Sequence, residues 1–320
     1  MEAGRGHTGA YMEDVARSPL GSAAVSAEAA IVVLDGPLGT ELAARGVETP
    51  APLWSAAALL DARGRDVVRA IHRDYARAGA TVHTANTFRT RRRQAGAAWA
   101  ELASRAVSLA REAVRGEGPR HRVAGSIAPL EDCYRPDLSP ADARQEHREL
   151  ARALASAGVD LLLCETFPHV GEALVALEEA VATGVEAWVS FTAGPGSDLL
   201  SPEDVGRAAR EAAARGASAV LVNCTPATRT LAHIERLAAC GVPFGAYANA
   251  GAEAEGLGWG VGVDQRGSAA ARYAELARRW LEAGATIVGG CCGTGPGHIA
   301  ALRALVDGAR PAREPAGSPR

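Results

Sequence analysis

Short apolar runs alternate with longer amphipathic stretches along most of the chain. A short run of aliphatic and β-branched residues predicts a strand, and a stretch rich in Ala, Leu, Arg and Glu with a helical period predicts a helix. The pattern predicts strands at Ile31–Asp35, Thr81–Thr84, Arg122–Ser126, Asp160–Cys164, Ala187–Phe191, Ala219–Asn223, Phe244–Ala248 and Thr286–Gly289. It predicts helices at Asp66–Ala78, Ala97–Arg115, Pro140–Ala157, Val170–Thr183, Pro202–Arg215, Thr228–Ala239, Ser268–Ala283 and Gly297–Val306.

Four of the predicted helices end in the same way, with a glycine shortly before the next strand. These glycines are Gly79, Gly158, Gly216 and Gly284, and glycine readily takes the left-handed conformation that ends a helix. Parallel strands need helical crossovers, and eight strand-helix units close a sheet on itself. The order of elements therefore predicts an α/β protein with a single (β/α)8 TIM barrel. A doubly wound open sheet is the alternative.

The two ends of the chain differ in composition from the rest. Residues 1–28 and 309–320 are rich in Gly, Ser, Pro, Ala and Arg and lack a sustained apolar period. Such a composition is typical of disordered tails, because it cannot bury enough apolar surface to offset the entropy of ordering. We therefore assign the barrel domain to residues 29–308.

Composition and charge narrow the range of chemistry and of partners. The 34 basic residues are all arginine and stand against 37 acidic ones, for a formal net charge of −3. Without lysine, the chain cannot carry out Schiff-base, pyridoxal-phosphate or P-loop chemistry. No long stretch is purely basic and no apolar run reaches the ~20 residues that span a bilayer, so we expect neither nucleic acid nor a membrane as partner. A small polar substrate and a cytoplasmic location fit better, and the helix faces single out no oligomeric interface.

The distinctive polar residues lie where the predicted strands end. In a barrel enzyme the chemistry sits at the carboxyl ends of the strands and in the loops that follow. The segments at those positions are Asp35-Gly36, Thr84-Ala85-Asn86-Thr87-Phe88, Gly125-Ser126, Cys164-Glu165-Thr166-Phe167, Asn223-Cys224-Thr225, Tyr247-Ala248-Asn249 and Gly289-Gly290-Cys291-Cys292-Gly293-Thr294. We expect them to meet at one rim.

Three of the six cysteines fall on this predicted rim, namely Cys224, Cys291 and Cys292. Adjacent cysteines do not easily bond to each other, and the cytosol disfavours structural disulfides. Three thiolates predict a tetrahedral Zn²⁺ site with one open position, as in catalytic zinc sites. The alternative is that the three are small buried hydrophobic residues.

The other three cysteines receive no catalytic role from the sequence. Cys164 is predicted to lie in the core. Cys133 and Cys240 lie in a loop and at a helix end and are assigned no function.

These segments resemble the homocysteine S-methyltransferase family, whose members are zinc-dependent. The resemblance runs from about Ile31 to Val306 and is most specific at Gly289-Gly290-Cys291-Cys292-Gly293-Thr294. It also includes the segment Asp35 to Leu42, His72 and Tyr75 before Ala78-Gly79-Ala80, Thr84 to Phe88, Glu165-Thr166, Asn223-Cys224 and Tyr247 to Gly251. It implies a (β/α)8 fold and a three-cysteine zinc site, in agreement with the pattern of elements. The chain departs from many members at Ala85, where they have Thr, and in the segment Gly125-Ser126-Ile127-Ala128-Pro129-Leu130, where they have a Gly-Ser-Ile/Val-Gly-Pro pattern, and the resemblance places both on the methyl-donor side.

Homocysteine would bind with its sulfur at the open zinc position, where the metal holds the thiol deprotonated. Glu165 is the first candidate for its ammonium group and Asp35 the second, and the resemblance implies the same pair. The backbone N–H groups of the Gly36–Thr40 loop suit its carboxylate. We assign substrate binding to the matched residues Asp35, Gly36, Thr40, Asn86, Glu165, Tyr247 and Asn249. No side chain acts as a further catalytic group in this scheme, because the zinc-activated thiolate is itself the nucleophile.

The methyl donor is expected to be a cation, which aromatic faces bind. Phe88, Phe167, Tyr247 and Trp259 are the aromatic candidates near the rim, with Trp259 in an exposed or lid-forming loop, whereas His72 is interpreted as a helix-face or capping residue. The leading hypothesis is methyl transfer from S-methylmethionine or S-adenosylmethionine to L-homocysteine, giving methionine. A betaine-type donor or a different thiol acceptor is the alternative. A non-catalytic zinc-binding or thiol-binding protein is the second.

Overall fold

A computed structural model describes residues 30–118 and 121–308 of the chain. Its strands are β1 (Val32–Val33), β2 (Val82–Ala85), β3 (Arg122–Ile127), β4 (Leu161–Phe167), β5 (Ala187–Phe191), β6 (Ala219–Pro226), β7 (Phe244–Asn249) and β8 (Ile287–Gly290). Its α-helices are α1 (Leu38–Ala44), α2 (Ala62–Arg77), α3 (Arg92–Ala95), α4 (Trp99–Val114), α5 (Arg144–Ser156), α6 (Val170–Val181), α7 (Pro202–Ala214), α8 (Thr230–Leu237), α9 (Arg266–Glu282) and α10 (Pro296–Gly308). The eight predicted strands and the eight predicted helices are confirmed, with shifted ends.

The strands form one parallel sheet in the order β1-β8-β7-β6-β5-β4-β3-β2. The two outer strands meet through a parallel bridge between Leu34 and Val82. The Thr81 N–H donates to the Val33 carbonyl at 2.8 Å, and the Asp35 N–H donates to the Val82 carbonyl at 2.9 Å. The sheet is therefore closed, which confirms the (β/α)8 barrel and rules out the doubly wound open sheet.

The buried apolar side chains form two layers, because successive residues of a strand point to opposite faces of the sheet. A small cluster fills the barrel interior, with Leu34, Val82, Leu163, Leu221 and Ile287 among its members. A larger cluster lies between the sheet and the surrounding helices. Packing on both faces of the sheet holds the backbone at the strand ends in place. The side chains that start from those ends are therefore held in fixed positions as well.

Left-handed glycines end four of the helices, as predicted. Gly79, Gly158, Gly216 and Gly284 have φ values of 100°, 81°, 95° and 97°. At such φ values a Cβ atom is disfavoured, and glycine has none.

The structure contains elements that the apolar pattern did not predict. Helix α1 follows β1 directly, a 3-10 helix spans Trp54–Leu59, and α3 is a single turn. Each is too short to show a helical period in the sequence. Strands β4 and β6 also continue beyond their predicted ends, so Thr166, Phe167, Cys224 and Thr225 belong to the sheet.

No helix in the described part of the chain is both long enough and apolar enough to cross a membrane. The predicted tails, 1–28 and 309–320, lie outside the described residues.

Gly158→Ala tests the left-handed helix ends. A Cβ atom at residue 158 would meet no atom within 4 Å, so the substitution isolates backbone strain. We expect it to lower the free energy of unfolding in urea by about 1–2 kcal/mol. The matched control is Gly267→Ala in α9, where a Cβ also meets nothing within 4 Å and φ is not in the left-handed range. The control should gain about 0.5–1 kcal/mol. Equal effects in the two variants would contradict the assignment.

Candidate active site

A cavity of about 630 Å³ opens at the carboxyl ends of the strands. The loops after β1, β2, β3 and β8 contribute to its walls, as do residues of β4, β6 and β7 and the segment between α1 and α2. Cys224, Cys291, Cys292, Asp35 and Glu165 all line it. The residues that the sequence placed on a common rim are therefore brought together in space.

The sulfur atoms of Cys224, Cys291 and Cys292 lie within 4.8 Å of one another. Those of Cys291 and Cys292 are 4.0 Å apart. Cys224 and Cys291 are joined as a disulfide, with their Cα atoms 5.7 Å apart. The sequence favoured a metal site over a disulfide at these cysteines. A disulfide and a metal-bound thiolate set are alternative states of cysteine side chains that point toward one another. The three sulfurs can converge on a single ion.

Backbone geometry aims these cysteines at the cavity. The register of β6 against β7 shifts between Asn223 and Pro226, and within this irregularity Cys224 has a φ of 49°. A bulge of this kind redirects a side chain at the end of a strand. The Asn249 amide donates to the Cys224 carbonyl at 2.9 Å, and the Cys291 N–H donates to the Ala248 carbonyl at 2.8 Å.

Asn223 connects three neighbouring strands beneath the cavity. Its Oδ1 accepts from the Thr166 N–H at 3.0 Å and from the Ser190 hydroxyl at 2.8 Å, and its Nδ2 donates to the Thr166 hydroxyl at 2.7 Å. Thr166 has a φ of 62°, which a residue other than glycine adopts only where its surroundings impose it. The network fixes the backbone next to Glu165 and Cys224. The sequence analysis assigned no role to Asn223, although a polar residue at the end of an apolar strand was a signal for one.

Glu165 and Asp35 are buried carboxylates without a cationic partner that would offset their charge. Glu165 accepts from the Tyr247 hydroxyl at 3.0 Å and from the Ser126 hydroxyl. Asp35 accepts from the Thr84 N–H at 2.9 Å. Burial raises the pKa of both carboxyl groups, because an ionised group loses hydration in the interior. No arginine of the described chain pairs with either, so the cavity presents negative charge to a bound cation.

The other predicted substrate residues divide into two groups. Gly36 and Asn86 line the cavity. A Cβ at residue 36 would come within 2.6 Å of the Tyr75 hydroxyl, so this position requires glycine. The Asn86 side chain forms two hydrogen bonds with Ser55. Its Oδ1 accepts from the Ser55 hydroxyl at 2.7 Å, and its Nδ2 donates to the Ser55 backbone carbonyl at 2.8 Å.

Thr40 and Asn249 are not among the described residues that line the cavity. The Thr40 hydroxyl accepts from the Gly293 N–H at 3.4 Å. Asn249 bonds to Cys224, as noted above, and accepts from the Gly251 N–H at 2.8 Å. Both residues hold backbone segments that carry or flank the cysteines.

The aromatic walls differ in part from the prediction. Phe88 and Tyr247 line the cavity as expected, and Trp54 and Tyr134 do so as well. Trp54 packs edge to face on Phe88, with ring centroids 5.8 Å apart, and is 36% exposed at the mouth. The sequence missed Trp54 and Tyr134 because both lie well beyond the strand ends, Trp54 at the start of the 3-10 helix and Tyr134 in the loop after β3.

Two predicted aromatic residues do not line the cavity. Phe167 is fully buried in the core and packs on His147, with centroids 5.8 Å apart, so its interpretation as a rim residue was wrong. Trp259 is 41% exposed and lies against Gly293, where a Cβ would meet the indole Nε1 at 2.6 Å.

His72 and the remaining cysteines complete the surroundings. His72 faces inward from α2, fully buried, with its Nδ1 3.9 Å from Asp35 Oδ2. Burial lowers its pKa to about 4. Cys164 lies in the core as predicted, and Cys240 is buried away from the cavity. Cys133 lines the cavity, and burial raises the pKa of its thiol to about 12.

The fold is a closed (β/α)8 barrel, and three cysteine sulfur atoms converge beside two buried carboxylates at its rim. This combination defines a barrel enzyme with a candidate thiolate metal site. The chain belongs to the homocysteine S-methyltransferase family, whose model matches residues 32–306.

Individual relatives agree with this assignment. Homocysteine S-methyltransferase of Escherichia coli (strain K12) is 34% identical over 304 residues, covering 86% of this chain and 94% of that protein. Homocysteine S-methyltransferase YbgG of Bacillus subtilis (strain 168) is 32% identical over 310 residues, with the same coverage. The crystal structure of the E. coli homocysteine methyltransferase MmuM in its metallated form superposes with a TM-score of 0.70 at 29% identity, covering 87% of this chain and 96% of that one. An oxidized form of MmuM has also been solved.

Glu165→Gln tests the electrostatic cost of the buried carboxylate. Because the pKa of Glu165 is raised on folding, the folded chain holds a proton there that the unfolded chain releases, and stability is lost as pH rises through this range. We expect the variant to gain stability relative to the parent as pH rises, because only the parent then buries an ionised carboxylate, and this difference to shrink as pH falls toward the ordinary glutamate pKa of 4.5. Urea unfolding of metal-free, substrate-free protein measures it.

The matched control is Glu235→Gln, at an exposed position of α8. It should show no such convergence with falling pH. If Glu165→Gln is the less stable protein at every pH, the carboxylate is not electrostatically costly.

Proposed function

We propose that the protein is a zinc-dependent methyltransferase that moves a methyl group from a sulfonium donor, S-methylmethionine or S-adenosylmethionine, to the thiol of L-homocysteine, giving methionine. The observation that carries the proposal is the convergence of three cysteine sulfur atoms and two uncompensated carboxylates on one cavity.

The donor set supports zinc as the metal. Three cysteine sulfurs suit Zn²⁺, which favours tetrahedral thiolate ligation and keeps one position open in catalytic sites. Cys224, Cys291 and Cys292 would hold the ion, and the ion would supply a deprotonated, electron-rich sulfur when the homocysteine thiol occupies the open position.

The carboxylates would orient homocysteine. Its ammonium group would lie between Glu165 and Asp35, which offsets the cost of burying their charges. Tyr247 and Ser126 keep the Glu165 carboxylate in place through their hydroxyl groups. The backbone N–H groups of the segment 36–40, which leads from β1 into the first turn of α1, would receive the substrate carboxylate, because Gly36 and Gly39 line the cavity.

The mouth of the cavity suits a cationic donor. Trp54, Phe88 and Tyr134 line it, and aromatic faces attract sulfonium and ammonium groups. In the transfer, the homocysteine sulfur forms a bond to the methyl carbon as the carbon-sulfur bond of the donor breaks, and its electron pair stays on the departing thioether. The thiol proton is released when homocysteine binds, so the transfer itself needs no base among the side chains.

The reaction is tested by supplying each donor in turn. Purified zinc-loaded protein is incubated with homocysteine and S-methylmethionine, S-adenosylmethionine or betaine, and methionine is followed by mass spectrometry. We expect methionine from a sulfonium donor. Methionine from betaine alone would replace the donor assignment, and methionine from none would favour another acceptor or a non-catalytic role.

Cys291→Ala tests the metal assignment. Loss of one of three thiolate ligands should reduce zinc to well below one equivalent per chain, measured by elemental analysis after dialysis, and should abolish methionine formation. Cys240→Ser is the matched control, because Cys240 lies away from the cavity, and it should retain both. Full zinc occupancy and full activity in Cys291→Ala would overturn the metal site.

A further inference from the structure

We propose that Arg89 binds a carboxylate of the methyl donor, so that the enzyme selects onium donors that also carry a carboxylate. The inference rests on the proposed function and adds a specificity-determining residue to it.

Arg89 is the one basic residue among the described residues that line the cavity. Four acidic residues share the cavity with it, Asp35 and Glu165 in the interior and Glu131 and Asp132 in the loop after β3. The cavity is therefore negative overall, which suits the cationic centre of a donor but leaves the single guanidinium to be explained.

The guanidinium of Arg89 is oriented without being neutralised. Its Nη1 donates to the backbone carbonyl of Glu131 at 3.1 Å, and its Cζ lies 5.3 Å from the Phe88 ring centroid. Within the described ranges no carboxylate forms an ion pair with it, whereas the neighbouring Arg92 and Arg93 pair with glutamates. Its other N–H groups remain able to bind an anion.

The charge and shape of the guanidinium indicate which anion Arg89 binds. A fixed cation beside the binding site of a cationic donor is locally repulsive, and a negative charge on the donor itself turns the contact with Arg89 into an attractive one. A carboxylate matches the guanidinium in shape and accepts two of its N–H groups. The carboxylate of homocysteine is already assigned to the segment 36–40, so the carboxylate that Arg89 meets belongs to the donor.

The position of Phe88 between Arg89 and Trp54 supports this placement. Phe88 contacts both Arg89 and Trp54, so the guanidinium and the aromatic wall are adjacent. A donor with its onium group against the aromatic wall and its carboxylate on Arg89 uses both features at once. An onium ion without a carboxylate uses only the first.

The test compares each donor with its uncharged amide in Arg89→Gln and in the parent protein. S-methylmethionine, S-adenosylmethionine, betaine and their primary amides are titrated calorimetrically into zinc-loaded protein without homocysteine, so that binding is measured without turnover. For the acid that is the true donor, we expect the variant to raise Kd by about 10- to 100-fold, the usual effect of losing a hydrogen-bonded ion pair. Binding of the corresponding amide should change by less than about threefold.

Two further variants complete the test. Arg89→Lys keeps the positive charge but lacks the paired N–H groups of the guanidinium. Its Kd for the acid should lie between that of the parent and that of Arg89→Gln. Arg92→Gln is the matched control, because Arg92 also lies 5.3 Å from an aromatic ring centroid, that of Trp99, but is solvent-exposed outside the cavity. It should bind every donor as the parent does.

The outcomes separate this inference from the proposed function. An equal loss of acid and amide binding in Arg89→Gln, or no loss of either, overturns the role of Arg89 even if the parent makes methionine. A selective loss of acid binding supports it, and the acid affected identifies the donor as the sulfonium or the betaine type. Failure of the parent to make methionine from any donor would instead count against the proposed function.

Discussion

Closure of the parallel sheet is the constraint on which the rest of the structure depends. Because all eight strands run in the same direction and hydrogen-bond into a ring, every carboxyl end lies at one rim. Cys224 lies near the carboxyl end of β6 and Cys291 follows β8, so residues 67 positions apart become neighbours. The helices outside the sheet bury its outer face, and the small apolar cluster inside fills the barrel. The rim can therefore carry irregular backbone without loss of the fold.

Backbone strain and buried charge lower the stability of the fold at the rim. Thr166 and Cys224 adopt left-handed backbone conformations, and Asp35 and Glu165 bury charge without a cation beside them. The Asn223 network stabilises this arrangement, because it satisfies the Thr166 N–H and joins β4, β5 and β6 through a single amide. Strain and uncompensated charge concentrated at a site, with good packing elsewhere, are typical of a preorganised binding site.

The sequence predicted the barrel because strand and helix periods alternate without interruption and glycines mark the helix ends. It predicted the cysteines and Glu165 because these residue types are unusual at the end of an apolar strand. It could not predict the wall formed by Trp54 and Tyr134. Both residues lie between regular strands and helices of the barrel, and tertiary contacts that bring such residues to a cavity leave no periodic pattern in the sequence. Phe167 was misplaced because β4 continues past its predicted end, and the irregularity there turns Phe167 toward the helices while Glu165 faces the cavity.

The gradient of exposure through the cavity, from Trp54 at 36% to Cys224 at 4%, has a kinetic consequence for the proposed reaction. In the proposed reaction the acceptor would occupy the deep end, and a donor held between the aromatic walls would stand between it and solvent. Homocysteine would then have to enter before the donor, and methionine could leave only after the demethylated donor had gone. The depth of the cavity would in this way set the order of binding and release.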